Sequence, residues 1–165
     1  MSGTQIEAIL TRLARAGVEF VVIGGVAGLA HGSTRVTFDV DISYKRTPEN
    51  IARLCVTLAP LHPKLRGAPE GLPFNLDPET VKAGLNFTLT TDLGAVDLLG
   101  EISGLGAYEG VKAASQVLTL YDIEMNVLSL DGLLAAKRAA ARGKDKEAIV
   151  ELEALLELRK KQSPS

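Results

Sequence analysis

The spacing of apolar and polar residues predicts that helices and strands alternate through the first part of the chain. Four apolar residues recur at helical spacing and predict a first helix: Ile6, Ile9, Leu10 and Leu13. Gly17 marks the end of that helix, and the β-branched, apolar run over residues 18–23 predicts a strand. Gly24 and Gly25 then break the strand, and a short helix is expected over residues 26–30.

The chain continues with a strand, a helix and an irregular segment. Residues 36–44 predict a second strand, and a helix is expected from Pro48 to about Leu61. Thr47 is suited to be the N-cap of this helix, with Pro48 in its first turn. Residues 62–78 contain several Pro and Gly residues with little periodicity, which predicts an irregular surface loop. Long loops of this kind often cover a functional site.

The later apolar runs predict further strands. Residues 87–91 and 95–99 flank a turn at residues 92–94 and indicate a hairpin. Residues 117–121 and 125–128 add further strand or edge structure. Together with the earlier alternation of helix and strand, these runs predict a mixed β-sheet.

Two helices are predicted at the end of the sequence. Ser129 is a suitable N-cap for a helix through Ala141, and Gly143 breaks that helix. Residues 145–161 have the amphipathic pattern of a long helix. The predicted fold class is therefore α+β, a mixed β-sheet flanked by helices, with C-terminal helices over about residues 130–161.

The composition is compatible with one domain over residues 1–165, which at this length can bury roughly 70% of the surface that the unfolded chain exposes. The apolar fraction is 46% and the net charge is −2, so the composition predicts neither disorder nor a strong field for nucleic acid. The sequence shows no basic start followed by a long apolar run and no segment of ~20 apolar residues, so we expect a cytoplasmic protein without membrane contact. The lone Cys55 is expected to be a buried thiol.

Two acidic residues lie on the second predicted strand, separated by Val40. Because successive side chains of a strand point to opposite faces, Asp39 and Asp41 are expected side by side on one face. Two carboxylates in this arrangement repel each other unless a cation or a shared proton offsets their charge. The natural partner is a divalent metal ion.

Two other features fit chemistry at such an acidic pair. Gly24-Gly25 stands at a strand-to-helix junction, where backbone N–H groups can approach a phosphate, although a tight turn with positive φ also explains both glycines. Asp97 is an acid inside an apolar strand and is a candidate ligand or general base, the alternative being a half-exposed strand residue. A phosphate cradle beside carboxylates meets the needs of phosphoryl or nucleotidyl transfer with Mg²⁺.

These elements follow one another in a characteristic order: Ile23-Gly24-Gly25, thirteen further residues, Asp39-Val40-Asp41-Ile42, and later Val96-Asp97-Leu98. The order and spacing resemble those of the DNA polymerase beta-like nucleotidyltransferase superfamily. More narrowly, the blocks GGVAGLAHGSTRVTFDVDISY and LLAAKRAAARGKDKEAIVEL are similar to a small prokaryotic group of stand-alone nucleotidyltransferases, which is related to abortive-infection and toxin–antitoxin toxins.

The resemblance implies the nucleotidyltransferase fold and a metal-dependent transfer of an NMP from an NTP, such as ATP, to a hydroxyl acceptor, with release of pyrophosphate. By the resemblance, Gly24 and Gly25 would hold the triphosphate, and Asp39 and Asp41 would bind Mg²⁺ or Mn²⁺, as two ions. Asp97 would complete the metal site and help to deprotonate the acceptor. A role as the toxin of a toxin–antitoxin pair is also implied. The acceptor stays open between RNA such as a tRNA 3′ end, a protein such as a cognate antitoxin, and a small hydroxylated compound.

Hydroxyl and basic side chains are further candidates for binding the nucleotide. Many members of the superfamily have Gly-Ser where this chain has Gly-Gly, and Ser33 or Thr34 could replace the missing hydroxyl. Arg35 precedes the acidic pair on the predicted strand, where it would bind phosphate or balance the carboxylates. Lys137 and Lys144 match the late block of the resemblance and are candidate phosphate contacts. They belong to a locally basic stretch, which would bind an RNA backbone or form a solvated helix face, with Arg138, Arg142 and Lys146.

Other kinds of site fit the sequence less well. His31 is expected to be a hydrogen-bonded structural imidazole rather than a phosphate donor, and zinc ligands would need paired His and Cys spacing that the chain lacks. A dinucleotide-binding fingerprint would need glycine in place of Ile23, and a P-loop would need Lys and Ser or Thr in place of Val26 and Ala27. The competing hypothesis is a catalytically silent nucleotide- or partner-binding module that retains the fold.

Overall fold

The fold is organised around a mixed β-sheet with helices against it, as the alternating pattern predicts. The protein is described by a computed structural model that covers residues 3–140 and 143–162. The α-helices are Gly3–Arg15 (α1), Gly24–Ala30 (α2), Pro48–Leu58 (α3), Pro78–Ala83 (α4), Tyr108–Ala113 (α5), Leu130–Ala140 (α6) and Lys146–Gln162 (α7). The strands are Phe20–Ile23 (β1), Asp39–Tyr44 (β2), Lys64–Leu65 (β3), Asn86–Thr91 (β4), Gly94–Leu99 (β5), Glu101–Ile102 (β6), Gly106–Ala107 (β7), Ser115–Leu120 (β8) and Ile123–Leu128 (β9). Short 3₁₀ turns at Ala59–Leu61 and Gly143–Asp145 follow α3 and precede α7.

The main sheet has seven strands within the described residues, in the order β3-β4-β5-β2-β1-β9-β8. β2 is parallel to β5 and β1 is parallel to β9, while the other neighbours are antiparallel. The sheet is therefore mixed, and β6 and β7 form a separate two-stranded ribbon. β2, which carries the acidic pair, and β1, which leads into the two glycines, lie near the centre of the sheet.

Caps and core residues agree with the sequence pattern at several elements. The four apolar residues of α1 are buried, and the Thr47 hydroxyl accepts a hydrogen bond from the Asn50 N–H at the start of α3. The Ser129 hydroxyl likewise accepts a hydrogen bond from the Gly132 N–H at the start of α6. Cys55 is a buried thiol, as predicted. The predicted α+β fold class is confirmed, while the prediction of one domain over residues 1–165 stays a prediction.

The second strand is shorter than the sequence predicts. It begins at Asp39 rather than at Val36, and residues Val36 and Phe38 are 78% and 72% exposed. The reason lies in the neighbours of β2, because β1 pairs with it only as far as Asp41 and β5 only as far as Asp39. Residues before Asp39 therefore have no strand beside them with which to pair.

The segment predicted as one long loop contains two short elements. β3 adds a two-residue edge strand to β4, and α4 begins with the Asp77 carboxylate accepting a hydrogen bond from the Thr80 N–H. Elements this short contain too few residues to show a period, which is why the pattern missed them along with β6, β7 and α5. None of the helices in the described part of the chain is long and apolar enough to cross a membrane.

Candidate active site

Three carboxylates converge at one edge of the central strands. In the parallel pair formed by β2 and β5, Asp41 lies opposite Asp97, and Asp39 lies two residues earlier on the same face of β2. One carboxylate oxygen from each of the three residues lies within 4.8 Å of the other two. Acids that are distant along the chain are thus held within the reach of a single cation.

Partial burial and mutual repulsion raise the pKa values of two of these acids, Asp39 and Asp41. Burial, together with the neighbouring carboxylates of Asp39 and Asp97, raises the pKa of Asp41 to about 8. Burial and the charge of Asp97 also raise the pKa of Asp39. The Asp41 Oδ1 atom is buried and accepts no hydrogen bond from any group in the described part of the chain. A buried, unbonded oxygen within an all-oxygen donor set fits a hard divalent cation such as Mg²⁺ or Mn²⁺.

We expect the metal-free chain to lose stability as the pH rises from about 4 toward 8. Over this range the folded chain retains a proton on Asp41, whereas the unfolded chain releases it near pH 3.8. The free energy of unfolding therefore falls with pH, by at most ~1.4 kcal/mol per pH unit for one proton. Thermal melts of the wild type and Asp41→Asn in EDTA, from about pH 5 to 8, measure this effect as a growing difference in Tm.

The buried His31 changes the stability with pH in the opposite direction, and its contribution must cancel in the comparison of the two chains. Burial lowers the pKa of His31, so below its ordinary value of 6.5 the unfolded chain binds a proton that the folded chain does not, and stability rises with pH. Because His31 is present in both chains, its contribution cancels in the Tm difference. A difference that stays constant across this pH range would contradict the raised pKa of Asp41.

The two glycines bring backbone close to this carboxylate cluster. Gly24 has a φ of +63°, and a Cβ atom there would lie 2.2 Å from the Asp41 Oδ2 atom. A Cβ atom on Gly25 would lie 2.5 Å from the Thr37 hydroxyl oxygen. A side chain at Gly24 would therefore displace Asp41, and one at Gly25 would displace Thr37. Ile23 provides no side-chain cap for the first turn of α2. That Gly24 and Gly25 hold a triphosphate stays a prediction.

One residue of the site, Arg66, was missed by the sequence reasoning. Its Nη2 atom donates a hydrogen bond to the Asp97 Oδ1 atom at 2.6 Å and another to the Leu89 carbonyl at 2.7 Å. Arg66 follows directly after β3, inside the segment predicted as irregular loop. A lone arginine beside Pro and Gly residues carries no signal, because only the pairing of β3 with β4 brings it to Asp97.

The hydroxyl and basic candidates that precede β2 are engaged by the C-terminal helix. The Ser33 hydroxyl donates a hydrogen bond to Glu151 at 2.6 Å, and the Thr34 hydroxyl and N–H donate to the same carboxylate at 3.3 Å. Arg35 forms an ion pair with Glu147 at 3.7 Å. Arg35 lies outside the strand on which the sequence places it, because the strand begins only at Asp39. A role for Ser33 or Arg35 in binding nucleotide stays a prediction.

A cavity of about 480 Å³ opens beside Asp41 and Gly24. Lys137 on α6 lines this cavity, and its positive charge acts to lower the pKa of Asp41, against the larger opposing effect of burial. The Lys137 Nζ atom also lies 3.2 Å from the Asp145 Oδ1 atom. The remaining lining is mostly apolar, from Leu99, Ile102, Leu128 and Leu133, and also includes Asn86, Glu101 and Ser103. The side chain of the candidate Lys144, and all of Arg142, lie outside the described residues.

The two histidines lie apart from the carboxylate cluster. His31 is buried, with its Nε2 atom 2.8 Å from the Leu128 carbonyl oxygen. Its Nδ1 atom lies 3.1 Å from the Arg159 Nη1 atom. Since the guanidinium can only donate, Nδ1 accepts and Nε2 donates, which is the neutral tautomer of a structural imidazole, as predicted. His62 instead pairs with the exposed Asp92 at the tip of the β4–β5 hairpin.

Comparison with known proteins supplies the fold. No protein-family model and no curated protein matches the sequence. Among solved structures, the lincosamide antibiotic adenylyltransferase LnuA with bound lincomycin matches with a TM-score of 0.63 and 14% identity, over 94% of this chain and 98% of that chain. This chain has the nucleotidyltransferase fold.

Two further structures share this nucleotidyltransferase fold. The antibiotic-resistance factor ANT(2'')-Ia matches with a TM-score of 0.58 and 15% identity, over 92% of this chain and 80% of that chain. The Thermotoga maritima protein TM1012, a candidate nucleotidyltransferase, matches with a TM-score of 0.53 and 17% identity, over 95% and 96% of the two chains. At these identities the likeness concerns the nucleotidyltransferase fold, and the chemistry of this chain must be argued from its own residues.

Proposed function

We propose that the protein is a metal-dependent nucleotidyltransferase that moves an NMP from an NTP to a hydroxyl acceptor and releases pyrophosphate. The observation that carries the proposal is the convergence of three carboxylate oxygens within 4.8 Å, from Asp39, Asp41 and Asp97, in a chain with the nucleotidyltransferase fold. Three half-buried carboxylates this close repel one another, and the proton on Asp41 and the ion pair with Arg66 offset their charge only in part. A bound divalent cation would offset the remainder.

In this proposal the three aspartates hold Mg²⁺ or Mn²⁺, as two ions. Such ions neutralise charge on a bound triphosphate and on the departing pyrophosphate. Asp97 orients the acceptor hydroxyl, and one of its carboxylate oxygens takes the proton as the hydroxyl oxygen attacks the α-phosphorus. The backbone at Gly24 and Gly25 contacts the triphosphate, and Lys137 attracts it from the wall of the adjoining cavity.

The acceptor that we favour is a small hydroxylated compound. The cavity beside Asp41, of about 480 Å³, is within the size range of small-molecule sites, and a net charge of −2 gives no general attraction for a polyanion. LnuA, which shares the fold, is an antibiotic adenylyltransferase with lincomycin bound. A tRNA 3′ end, or a protein such as a cognate antitoxin, would instead fit the role of a toxin.

A transfer assay with labelled nucleotide tests the proposal. The purified chain is incubated with each α-³²P-NTP and Mg²⁺ or Mn²⁺, in separate reactions with total tRNA, with protein, and with a panel of hydroxylated antibiotics. We expect label to reach one class of acceptor and the reaction to stop completely in EDTA, because the carboxylates alone cannot screen the triphosphate. Nucleotide binding without any transfer, to any acceptor or to the chain itself, would favour the catalytically silent module.

A further inference from the structure

Arg66 reaches the carboxylate cluster across a whole strand. The backbone N–H of Arg66 donates a hydrogen bond to the Thr88 carbonyl of β4. Thr88 lies opposite Asp97 of β5, and Asp97 lies opposite Asp41 of β2. These residues form a row that runs across neighbouring strands. The guanidinium ends on Asp97, the nearer of the two acids in this row.

Two acceptors hold the guanidinium in place. Its Nη2 atom donates to Asp97 at 2.6 Å and to the backbone carbonyl of Leu89 at 2.7 Å, and the Arg66 side chain is 35% exposed. The carbonyl of Leu89 belongs to a strand that is paired on both sides and therefore cannot move freely. The hydrogen bond to this fixed carbonyl therefore helps to hold the Arg66 guanidinium next to Asp97.

Arg66 partly neutralises the negative charge of the three carboxylates. In the described part of the chain it is the one basic side chain within ion-pair distance of any of the three acids. Lys137, the other cation nearby, is paired with Asp145 instead. The positive charge of Arg66 also acts on Asp39, the outermost acid of β2.

We propose that Arg66 is a built-in counter-cation of the carboxylate cluster, which yields Asp97 when a divalent cation binds and thereby sets the metal affinity of the site. The proposal rests on the metal-binding part of the proposed function. Arg66 and a divalent cation both seek the Asp97 carboxylate, so the two compete. Arg66 is therefore a positioning residue that acts through Asp97. In the metal-free chain it stabilises the fold by reducing the repulsion among the three carboxylates.

Replacing Arg66 by glutamine separates this role from a merely structural one. We expect Arg66→Gln to bind Mn²⁺ about three- to tenfold more tightly than the wild type, because the cluster loses a competing positive charge. The same change should lower the Tm of the metal-free chain by about 2–5 °C, since the carboxylates lose their compensation. The two effects have opposite signs, whereas damage to the fold would weaken both.

The measurement is a Mn²⁺ titration followed by electron paramagnetic resonance of the free ion, without nucleotide, together with thermal melts in EDTA. Lys64→Gln is the matched control, because Lys64 lies two residues earlier, on the edge strand β3, and the substitution removes the same charge from an exposed position. Arg66→Lys retains the positive charge and is expected to bring Mn²⁺ affinity closer to that of the wild type than Arg66→Gln does.

Unchanged or weaker Mn²⁺ binding in Arg66→Gln overturns the proposal, and so does equal tightening in Lys64→Gln. Absence of Mn²⁺ binding by all chains overturns it together with the metal site. Failure of the proposed transfer is a separate result, because the titration uses no nucleotide: expected Mn²⁺ affinities without transfer would retain the role of Arg66 and point to the silent module.

Discussion

Asp41→Asn is expected to reduce nucleotidyl transfer by at least about 10³-fold while raising the Tm of the metal-free chain by ~2–6 °C at neutral pH. The amide keeps the shape of the side chain but removes the anionic oxygen that the proposed metal site would use. In the metal-free fold the same amide removes a buried group whose charge is opposed by burial and by two neighbouring carboxylates. Steady-state transfer at matched Mg²⁺ and thermal melts in EDTA measure the two effects.

The opposite signs make this variant informative. A general loss of folding would lower transfer and Tm together, whereas removal of a metal ligand lowers only transfer. Asp92→Asn is a suitable control, because Asp92 lies at the exposed tip of the β4–β5 hairpin and contacts His62 rather than the cluster. We expect this control to keep transfer within about twofold of the wild type. Full transfer by Asp41→Asn would refute the assignment of Asp41 as a ligand.

Gly24→Ala is expected to lower stability by about 2–4 kcal/mol and to reduce transfer by at least about 10²-fold. The new methyl group would lie 2.2 Å from the Asp41 Oδ2 atom and 3.0 Å from its Cγ atom. Relief of this clash moves the half-buried Asp41 carboxylate from its place in the cluster. The backbone also has a φ of +63° at this residue, which alanine adopts only with strain.

Gly17→Ala separates backbone strain from the clash. Gly17 has a φ of +77°, but a Cβ atom there would meet no atom within 4 Å, so only the strain remains. We expect this control to cost ~1 kcal/mol and to leave transfer unchanged. Denaturant unfolding and transfer assays on both variants give the comparison. Equal losses of stability at the two positions would mean that the contact between Gly24 and Asp41 does not constrain the site.

Local signals in the sequence were sufficient for many of the elements. The helical spacing in α1, the Thr47 and Ser129 caps and the β4–β5 hairpin depend on residues close together in the chain, and the structure contains all of them. The acidic pair is also a local feature, since alternation along one strand places Asp39 and Asp41 on the same face. These interactions span only a few residues, so the local sequence is sufficient to predict them.

Contacts between distant segments were decided by the tertiary structure, although the family resemblance already implied that Asp97 joins the acidic pair. The register of β2 against β5 places Asp97 opposite Asp41, and the pairing of β3 with β4 brings Arg66 to Asp97. β2 likewise begins only at Asp39 because the pairing with its neighbouring strands does not extend to earlier residues. A sequence can supply the acids and the arginine, but which of them meet depends on strand order and register, because a strand pairs with whatever partner the whole chain brings beside it.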